Sequence, residues 1–357
     1  MPWTIATLHP ISLWEKGEGK RFNGMVIVLL ILWSILTPLR AADVPVCQIA
    51  TDISPWLVRI DTIGGLEKVD GEFANEGTST GLLLDREGFV VTGAFNFLHD
   101  PASILLRFVD GSKKVARKVA TDRNRMLTLL KVDNLDPTFL PGRYEVAPKD
   151  SIHVGDACMA VGTALSGVEP NIAVGIISGK NRIWGKAIQT DAAVGPNNYG
   201  GPLLDLEGRI LGILVPLSMD SVSLTAGAEF YDGGVGFAIP MEDVQRFLPL
   251  LKEGKDLVPG TLGIGFKENR TFVGEAILDL VVPNLPAAEA KLQPGDKIIA
   301  VDGQSVASAL ELSMNLRSRY ADEEIRLTFQ RNGINKEVVL KTVVLPQTLP
   351  KKTAISE

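Results

Sequence analysis

Residues 189–204 read QTDAAVGPNNYGGPLL, and this loop decides how the surrounding chain is interpreted. On both sides of it, residues 43 to about 255 consist of short apolar runs separated by turn residues, which is typical of an all-β barrel protein. Turn signals recur at residues 85–88, 110–111 and 205–208. Apolar strand runs occupy residues 104–108, 129–132 and 210–215. The body of the chain is therefore predicted to be mainly β.

The loop resembles the nucleophile loop of the HtrA/Deg family of trypsin-like serine proteases, whose pattern is TDAAIxPGNSGGPL. In this alignment Tyr199 stands at the position of the catalytic serine. The altered oxyanion loop consists of Asn197, which replaces a glycine, followed by Asn198 and, after the tyrosine, Gly200. The resemblance implies a chymotrypsin-like double β-barrel, with two six-stranded barrels and a cleft between them.

Two further family patterns locate the other members of the catalytic triad. The family carries its histidine in TNAHVV after a hairpin; here the hairpin at residues 79–92 is followed by GAFNFL, so Phe95 stands at the histidine position. The family carries its aspartate in DxxxDLALLKV. Here DRNRMLTLLKV begins at Asp122, which puts Met126 at the aspartate position.

The three substitutions predict that the chain has no serine-protease activity. Acyl transfer by this fold needs a hydroxyl nucleophile, an imidazole that takes its proton, and a carboxylate that orients the imidazole. Phe95 and Met126 have no titratable group, and the phenol of Tyr199 has no neighbouring base. Without a triad, the family features that the resemblance still implies are substrate binding and a partial oxyanion hole. The enzyme alternative uses Tyr199 or His99, although a solvated loop histidine also accounts for His99.

The backbone of the altered loop is expected to keep its path despite the new side chains. Glycine is favoured where φ is positive, and asparagine is among the few other residues that tolerate this conformation. Asn197 is therefore predicted to preserve the backbone geometry of the glycine that it replaces.

A second domain is predicted after a polar linker at residues 252–256. Residues 261–266, TLGIGF, resemble the carboxylate-binding loop and first strand of a PDZ domain. Supporting landmarks are residues 281–290 and 292–303, a helix around 307–319, and strands at 325–329 and 337–340.

The PDZ resemblance implies a groove that binds a peptide by adding it as a strand. The N–H groups of Leu262, Gly263 and Ile264 would hold the terminal carboxylate of the peptide. Leu312 and Leu316 would line the pocket for its last side chain. The alternative is that these leucines belong to the core and that the groove is closed.

The N-terminal residues predict export. Residues 25–36 form an apolar run preceded by Lys20 and Arg21, a length that suits a signal peptide and is short for a membrane-spanning helix. Cleavage is expected near Ala42, with an uncleaved anchor as the alternative because Arg40 spoils the small-residue pattern. The body is then periplasmic or extracellular, where Cys47 and Cys158 either pair or leave Cys158 as a core thiol.

The composition argues against several classes of partner. The net charge is −6 and the pI is about 5.3, without a basic cluster in the body, which argues against nucleic acid. Two cysteines and three histidines are scattered without metal-binding spacing, so no metal or other cofactor is expected.

Together these patterns predict an exported HtrA-like pseudoprotease whose PDZ domain binds polypeptide C-termini or unfolded protein. The alternatives are a residual serine endopeptidase in protein quality control and a structural subunit of an HtrA-type homo- or hetero-oligomer, a trimer by resemblance. The expected organisation is a signal peptide or anchor at 1–42, a double barrel at 43–255, a PDZ domain at 258–346 and a tail at 347–357.

Overall fold

The computed structural model describes residues 46–64, 68–69, 72–73, 77–97, 100–135, 142–164, 169–217, 233–266 and 274–344. His99, the apolar run at 25–36 and the tail at 347–357 lie outside these ranges. The described residues belong to one compact unit. Within the described ranges, no helix is long and apolar enough to cross a membrane.

The first barrel is a closed antiparallel sheet of six strands. Helix α1 (Val46–Ile53) and a 3₁₀ turn (Ser54–Trp56) lead into the strands of this half of the chain. The strands are β1 (Leu57–Ile63), β2 (Lys68–Val69), β3 (Glu72–Phe73), β4 (Gly77–Leu83), β5 (Phe89–Gly93), β6 (Ser103–Phe108), β7 (Lys113–Asp122) and β8 (Leu127–Val132). The barrel has the order β1-β4-β5-β8-β7-β6, while β2 and β3 form a separate pair.

The inward faces of these strands follow the period-2 pattern of the sequence. In β6, Ile104, Leu106 and Phe108 are buried and alternate with partly exposed residues. Gly81 of β4 is needed because a Cβ at this position would lie 2.7 Å from Cγ1 of Val90 on β5.

The second barrel is also closed by six strands. They are β9 (Ala157–Gly162), β10 (Asn171–Asn181), β11 (Ala187–Thr190), β12 (Pro202–Asp205), β13 (Ile210–Leu214) and β14 (Gly236–Pro240), and their order is β10-β11-β14-β13-β12-β9. A 3₁₀ turn (Lys149–Ser151) precedes β9. Between β10 and β11 lies a single helical turn, α2 (Arg182–Gly185), in which Ile183 and Trp184 have left-handed φ values of 48° and 61°. Helix α3 (Met241–Lys252) follows the barrel.

The C-terminal domain is a small α/β unit with its own core. Its elements are β15 (Gly260–Thr261), β16 (Ile264–Gly265), β17 (Leu280–Val281), α4 (Pro286–Glu289), β18 (Lys297–Val301), β19 (Gln304–Ser305), α5 (Ala309–Arg317), β20 (Glu324–Arg331), β21 (Ile334–Lys341) and β22 (Val343–Val344). The main sheet has the order β19-β18-β20-β21. Leu312 of α5 packs in the core with Ile298 of β18 and Leu327 of β20.

The predicted fold class is confirmed: a mainly β chain with two six-stranded barrels followed by a PDZ domain. The sequence predicted a polar linker at residues 252–256, but in the structure both ends of this segment are held by ordered contacts. Lys252 ends α3, and Asp256 accepts a hydrogen bond from the N–H of Thr121 (2.8 Å). Leu257 is buried and exchanges backbone hydrogen bonds with Thr121 and Arg123. The connection is therefore fixed to the first barrel, because backbone donors of β7 need partners at this point.

The two cysteines do not pair. Cys47 is exposed in α1, whereas Cys158 is buried in β9, where its Sγ lies 3.1 Å from Oγ1 of Thr190. Burial raises the pKa of the Cys158 thiol to about 11. Of the two interpretations left open by the sequence, the structure agrees with a core thiol.

Candidate functional site

The fold brings the three residues predicted to stand at the triad positions to the junction of the two barrels. Phe95 begins a 3₁₀ turn that is separated from β5 by Ala94, and Met126 directly precedes β8. The N–H of Ala94 donates to the C=O of Met126 (2.8 Å), which ties these two segments together. Tyr199 precedes β12 of the second barrel, and its C=O accepts from the N–H of Thr80 on β4 (3.0 Å). A Cβ on Gly93 would lie 3.8 Å from Cβ of Tyr199, so all three segments converge.

The side chains at these positions face different environments. Phe95 is 39% exposed, whereas Met126 and Tyr199 are 6% and 8% exposed. Met126 packs in the apolar cluster that includes first-barrel core residues such as Val91 and Leu127. Tyr199 packs in the apolar cluster of the second barrel. None of these three side chains supplies an imidazole or a carboxylate, so the junction lacks the acid–base groups of a serine protease at these positions.

Met126 has a backbone conformation that its side chain does not favour. Its φ is 56°, in the left-handed region where aspartate and asparagine are enriched among non-glycine residues. For other L-residues this conformation costs about 1–2 kcal/mol. The preceding turn is held by Oδ1 of Asp122, which accepts the N–H groups of Asn124 and Arg125 (both 3.0 Å). The backbone at position 126 therefore suits an aspartate better than the methionine that occupies it.

The conformation of the oxyanion loop differs at Asn197 from the one predicted from the sequence. Asn197 does not have a positive φ, so it does not reproduce the expected glycine conformation. Its C=O accepts from Oγ1 of Thr80 (2.9 Å), which ties this loop to β4 of the first barrel. Gly200 does have a positive φ of 85°, and a Cβ at this position would lie 2.0 Å from the C=O oxygen of Thr80. Glycine is therefore required at position 200 but not at position 197.

Two N–H groups of the predicted oxyanion loop are bonded within the turn. The N–H groups of Asn198 and Tyr199 both donate to the C=O of Gly195, at 2.9 and 3.2 Å. An oxyanion hole needs such N–H groups aimed at the reacting oxygen of the substrate. Because the N–H of the residue at the nucleophile position is already bonded within the turn, this donor is not directed into the cleft. The side chain of Asn198 is buried, and its Nδ2 has no hydrogen-bond partner.

The predicted PDZ groove is built around β16. The C=O groups of Gly263 and Gly265 accept from Val282 and Asp279 on the side of β17. Because backbone groups alternate along a strand, the N–H and C=O of Ile264 between them face the opposite edge. In the described part of the chain, β16 pairs with β17 alone. This edge has the geometry that strand addition requires.

The other predicted groove residues lie beside this edge. Gly263 has a φ of 77°, and its N–H donates to Oγ1 of Thr261 (3.1 Å), so this predicted carboxylate donor has an internal partner. Leu262 is buried, whereas Ile264 is half-buried. On α5, Leu312 is completely buried in the PDZ core and Leu316 is half-buried. Of the two leucines, only Leu316 has surface to offer a ligand in this conformation.

A buried polar cluster joins both barrels to the PDZ domain, and sequence patterns did not identify it. Tyr320, just after α5, donates a short hydrogen bond to Oδ2 of Asp122 and accepts one from Arg125. The guanidinium of Arg125 also stacks on Phe247, 4.5 Å from its ring centroid. Nζ of Lys186 donates to both the C=O and Oδ1 of Asn124 (3.1 and 3.0 Å).

The surroundings shift the pKa values of two ionisable groups in this cluster. Burial raises the pKa of Asp122, while Arg125 and the hydrogen bond from Tyr320 oppose that shift. Burial also lowers the pKa of Lys186 to about 8, and the nearby positive charge of Arg125 acts in the same direction. The cluster lies next to Met126, so the segment that leads to the acid position is held by the PDZ domain.

Comparison with known proteins agrees with this architecture. Residues 76–213 match the model of the trypsin-like peptidase domain, and residues 260–342 match that of the PDZ domain. The chain is 28% identical over 282 residues to a Pseudomonas putida protein named "Probable periplasmic serine endoprotease DegP-like", covering 75% of this chain and 56% of the relative. A relative of the same name from Chlamydia trachomatis is 28% identical over 284 residues, covering 75% and 54%. The chain thus spans about half the length of these relatives.

Solved structures show the same fold. The serine endoprotease from Yersinia pestis superposes with a TM-score of 0.62 at 24% identity, covering 84% of this chain and 98% of that one. The HtrA-type protease AlgW with decapeptide gives a TM-score of 0.61 at 25% identity, covering 85% and 99%. The fold and the matched domains define a trypsin-like peptidase domain followed by a PDZ domain. These two domains in this order, the relatives named DegP-like and the HtrA-type structures confirm the resemblance to the HtrA/Deg family that the sequence patterns indicated.

Proposed function

We propose that this chain is an HtrA-like pseudoprotease that binds polypeptides through its PDZ domain. The observation that carries the proposal is the occupancy of the barrel junction by Phe95, Met126 and Tyr199, which lack the acid–base pair of a triad. In another serine protease, loss of the nucleophile or the histidine alone lowers kcat on the order of 10⁶-fold, about as much as loss of the whole triad. The internal hydrogen bond of the Tyr199 N–H removes an oxyanion donor as well. A residual endopeptidase is therefore not favoured.

The purified body, residues 43–357, is expected neither to cleave unfolded casein nor to react with a fluorophosphonate probe. Position 199 offers a phenol instead of the serine hydroxyl, and Phe95 and Met126 supply neither the imidazole nor the carboxylate that activates a nucleophile in this fold. Both assays are run beside an active HtrA protease as a positive control. Probe labelling that disappears in Tyr199→Phe would overturn the assignment, because it would identify the phenol as the reacting group.

The PDZ domain is expected to bind extended peptides with an apolar last residue, and amidation of the terminal carboxylate is expected to weaken binding. Charge-assisted hydrogen bonds to a carboxylate are roughly twice as strong as neutral ones, so amidation removes the stronger contact. Fluorescence anisotropy of matched free and amidated peptides measures the difference. Leu316→Lys is expected to abolish binding, whereas Val339→Lys, at an exposed position of β21, serves as the matched control. Equal affinity for the two peptide forms contradicts the carboxylate loop.

The proposed setting is outside the cytoplasm. The relatives are named periplasmic, and residues 25–36 have the composition of an export segment. We propose residues 1–42 as that segment, 43–255 as the barrel domain, 258–346 as the PDZ domain and 347–357 as a tail. Assembly with further copies or with an active relative remains a prediction from the family resemblance.

A further inference from the structure

The backbone of the predicted carboxylate loop, residues 261–264, is held by neighbouring segments of the PDZ domain. The C=O of Leu262 accepts from the N–H of Ala287 (2.9 Å), and the C=O of Gly263 accepts from the N–H of Val282 (2.7 Å). Because both carbonyl groups of the loop are bonded in this way, its peptide groups cannot turn without breaking these contacts. The direction of the N–H groups in the loop is therefore fixed.

One of these N–H groups is already occupied by a side chain of the loop itself. The N–H of Gly263 donates to Oγ1 of Thr261 at 3.1 Å. Threonine hydroxyls often accept from the backbone two residues further on, but this donor is one of the three that a peptide carboxylate is predicted to use. The backbone of Thr261 pairs with Val343 of β22. Its side chain, in contrast, can rotate about χ1 between staggered positions.

We propose that the hydroxyl of Thr261 occupies the place of a ligand carboxylate oxygen in the resting PDZ loop, and that a peptide binds by turning this hydroxyl aside. A hydrogen bond requires its acceptor to lie close to the direction of the N–H. A carboxylate oxygen that approaches the N–H of Gly263 therefore meets Oγ1 of Thr261 in its position.

A terminal carboxylate is the kind of ligand group that can displace this hydroxyl. Its charge-assisted hydrogen bond is roughly twice as strong as the neutral bond that it replaces. The displaced hydroxyl of Thr261 then bonds to water. The proposal rests on the PDZ function proposed above and identifies a residue that limits the affinity of the groove.

The direct test is peptide binding to Thr261→Val, which removes the hydroxyl and keeps a β-branched side chain. The probe is a fluorescein-labelled peptide of sequence GGTITV with a free carboxylate, and fluorescence anisotropy gives its Kd for the body of the chain, residues 43–357. The variant is expected to bind the peptide about threefold to tenfold more tightly than the wild type, because the net contribution of one neutral hydrogen bond is of this size. Thr261→Ser keeps the hydroxyl and is expected to bind like the wild type.

The direction of the change separates this role from a structural one. If the hydroxyl only shapes the loop, folded Thr261→Val will bind the peptide equally or more weakly, and either result overturns the proposal. An equal gain in affinity for Thr261→Ser would also overturn it, because the gain would then come from the lost methyl group.

A second measurement uses the wild type and does not depend on the folding of a variant. Three-bond NMR couplings of the Cγ2 methyl carbon report the χ1 angle of Thr261 with and without a saturating concentration of the same peptide. We expect a different χ1 rotamer in the complex, together with continued protection of the Gly263 amide from hydrogen exchange. An unchanged rotamer in the saturated complex contradicts displacement of the hydroxyl.

Failure of this inference differs from failure of the proposed function. Peptide binding to the wild type without a gain in Thr261→Val refutes the role of the hydroxyl and leaves the PDZ groove as a peptide site. Absence of binding to the wild type and to both variants refutes the proposed PDZ function, and the role of Thr261 with it.

Discussion

A variant that restores the family residues at all four altered positions is expected to react with a fluorophosphonate probe, whereas the protein itself and every single reversion are not. The four changes are Phe95→His, Met126→Asp, Asn197→Gly and Tyr199→Ser. Single reversions are expected to do nothing because triad members act as a unit. The full effect of a triad on kcat is on the order of 10⁶-fold, so the difference between labelled and unlabelled proteins will be large.

The structure supports each part of this expectation. Phe95 is 39% exposed, so an imidazole at this position disturbs less packing than a change at a fully buried position. The φ of 56° at position 126 is one that aspartate tolerates better than methionine. Tyr199→Ser restores the hydroxyl of the family pattern, and Asn197→Gly gives residue 197 access to the positive φ that it lacks at present. The triple variant that keeps Asn197 is expected to label much more slowly, because its turn still directs the N–H of residue 199 to Gly195.

Active-site labelling measured over time, together with circular dichroism of each variant, provides the readout. The main risk is the carboxylate at 126, which is destabilising if it does not reach the imidazole, since an unpaired buried charge is costly. Absence of labelling in a quadruple variant with native-like stability would show that the cleft has been remodelled beyond these four positions.

The second large effect is expected at the buried cluster between the barrels and the PDZ domain. Arg125→Met is expected to destabilise the protein by about 3–5 kcal/mol, because it leaves Asp122 buried without its cation. The side chains of Arg125 and Asp122 are 7% and 1% exposed. Urea unfolding followed by tryptophan fluorescence measures the free energy of unfolding.

Two control variants test whether the loss of stability comes from the unpaired buried charge of Asp122. Arg117→Met removes an exposed ion pair with Asp133, at 4.0 Å, and is expected to change stability little. Asp122→Asn combined with Arg125→Met is expected to recover part of the loss, because the amide oxygen still accepts the N–H groups of Asn124 and Arg125 without a buried charge. If Arg125→Met and Arg117→Met have equal effects, the cluster does not hold the domains together.

Local patterns in the sequence were sufficient for the elements and the fold class. The alternation of apolar residues in β6 and the turn residues at 85–88 predicted strands and turns because both signals depend only on near neighbours. Family patterns around residues 79–92, 122–132 and 189–204 then indicated the double barrel. The helix predicted at 307–319 is shorter in the structure, Ala309–Arg317, because Ser308 caps its N-terminus by accepting from the N–H of Glu311.

The sequence by itself was sufficient to predict that the fold is a double barrel followed by a PDZ domain, and the assignment of residues 95, 126 and 199 to the triad positions is a prediction from the same family patterns. Only the tertiary structure decided that Tyr199 is buried, how the turn from Gly195 to Tyr199 uses its N–H groups, and that Tyr320 bonds to Asp122, 198 residues away in the chain. The physical reason is that side-chain direction and hydrogen-bond partners depend on which distant segments pack together. Such long-range contacts cannot be predicted from local periodicity. Strand and turn preferences can, because they are set by residues that are adjacent in the chain.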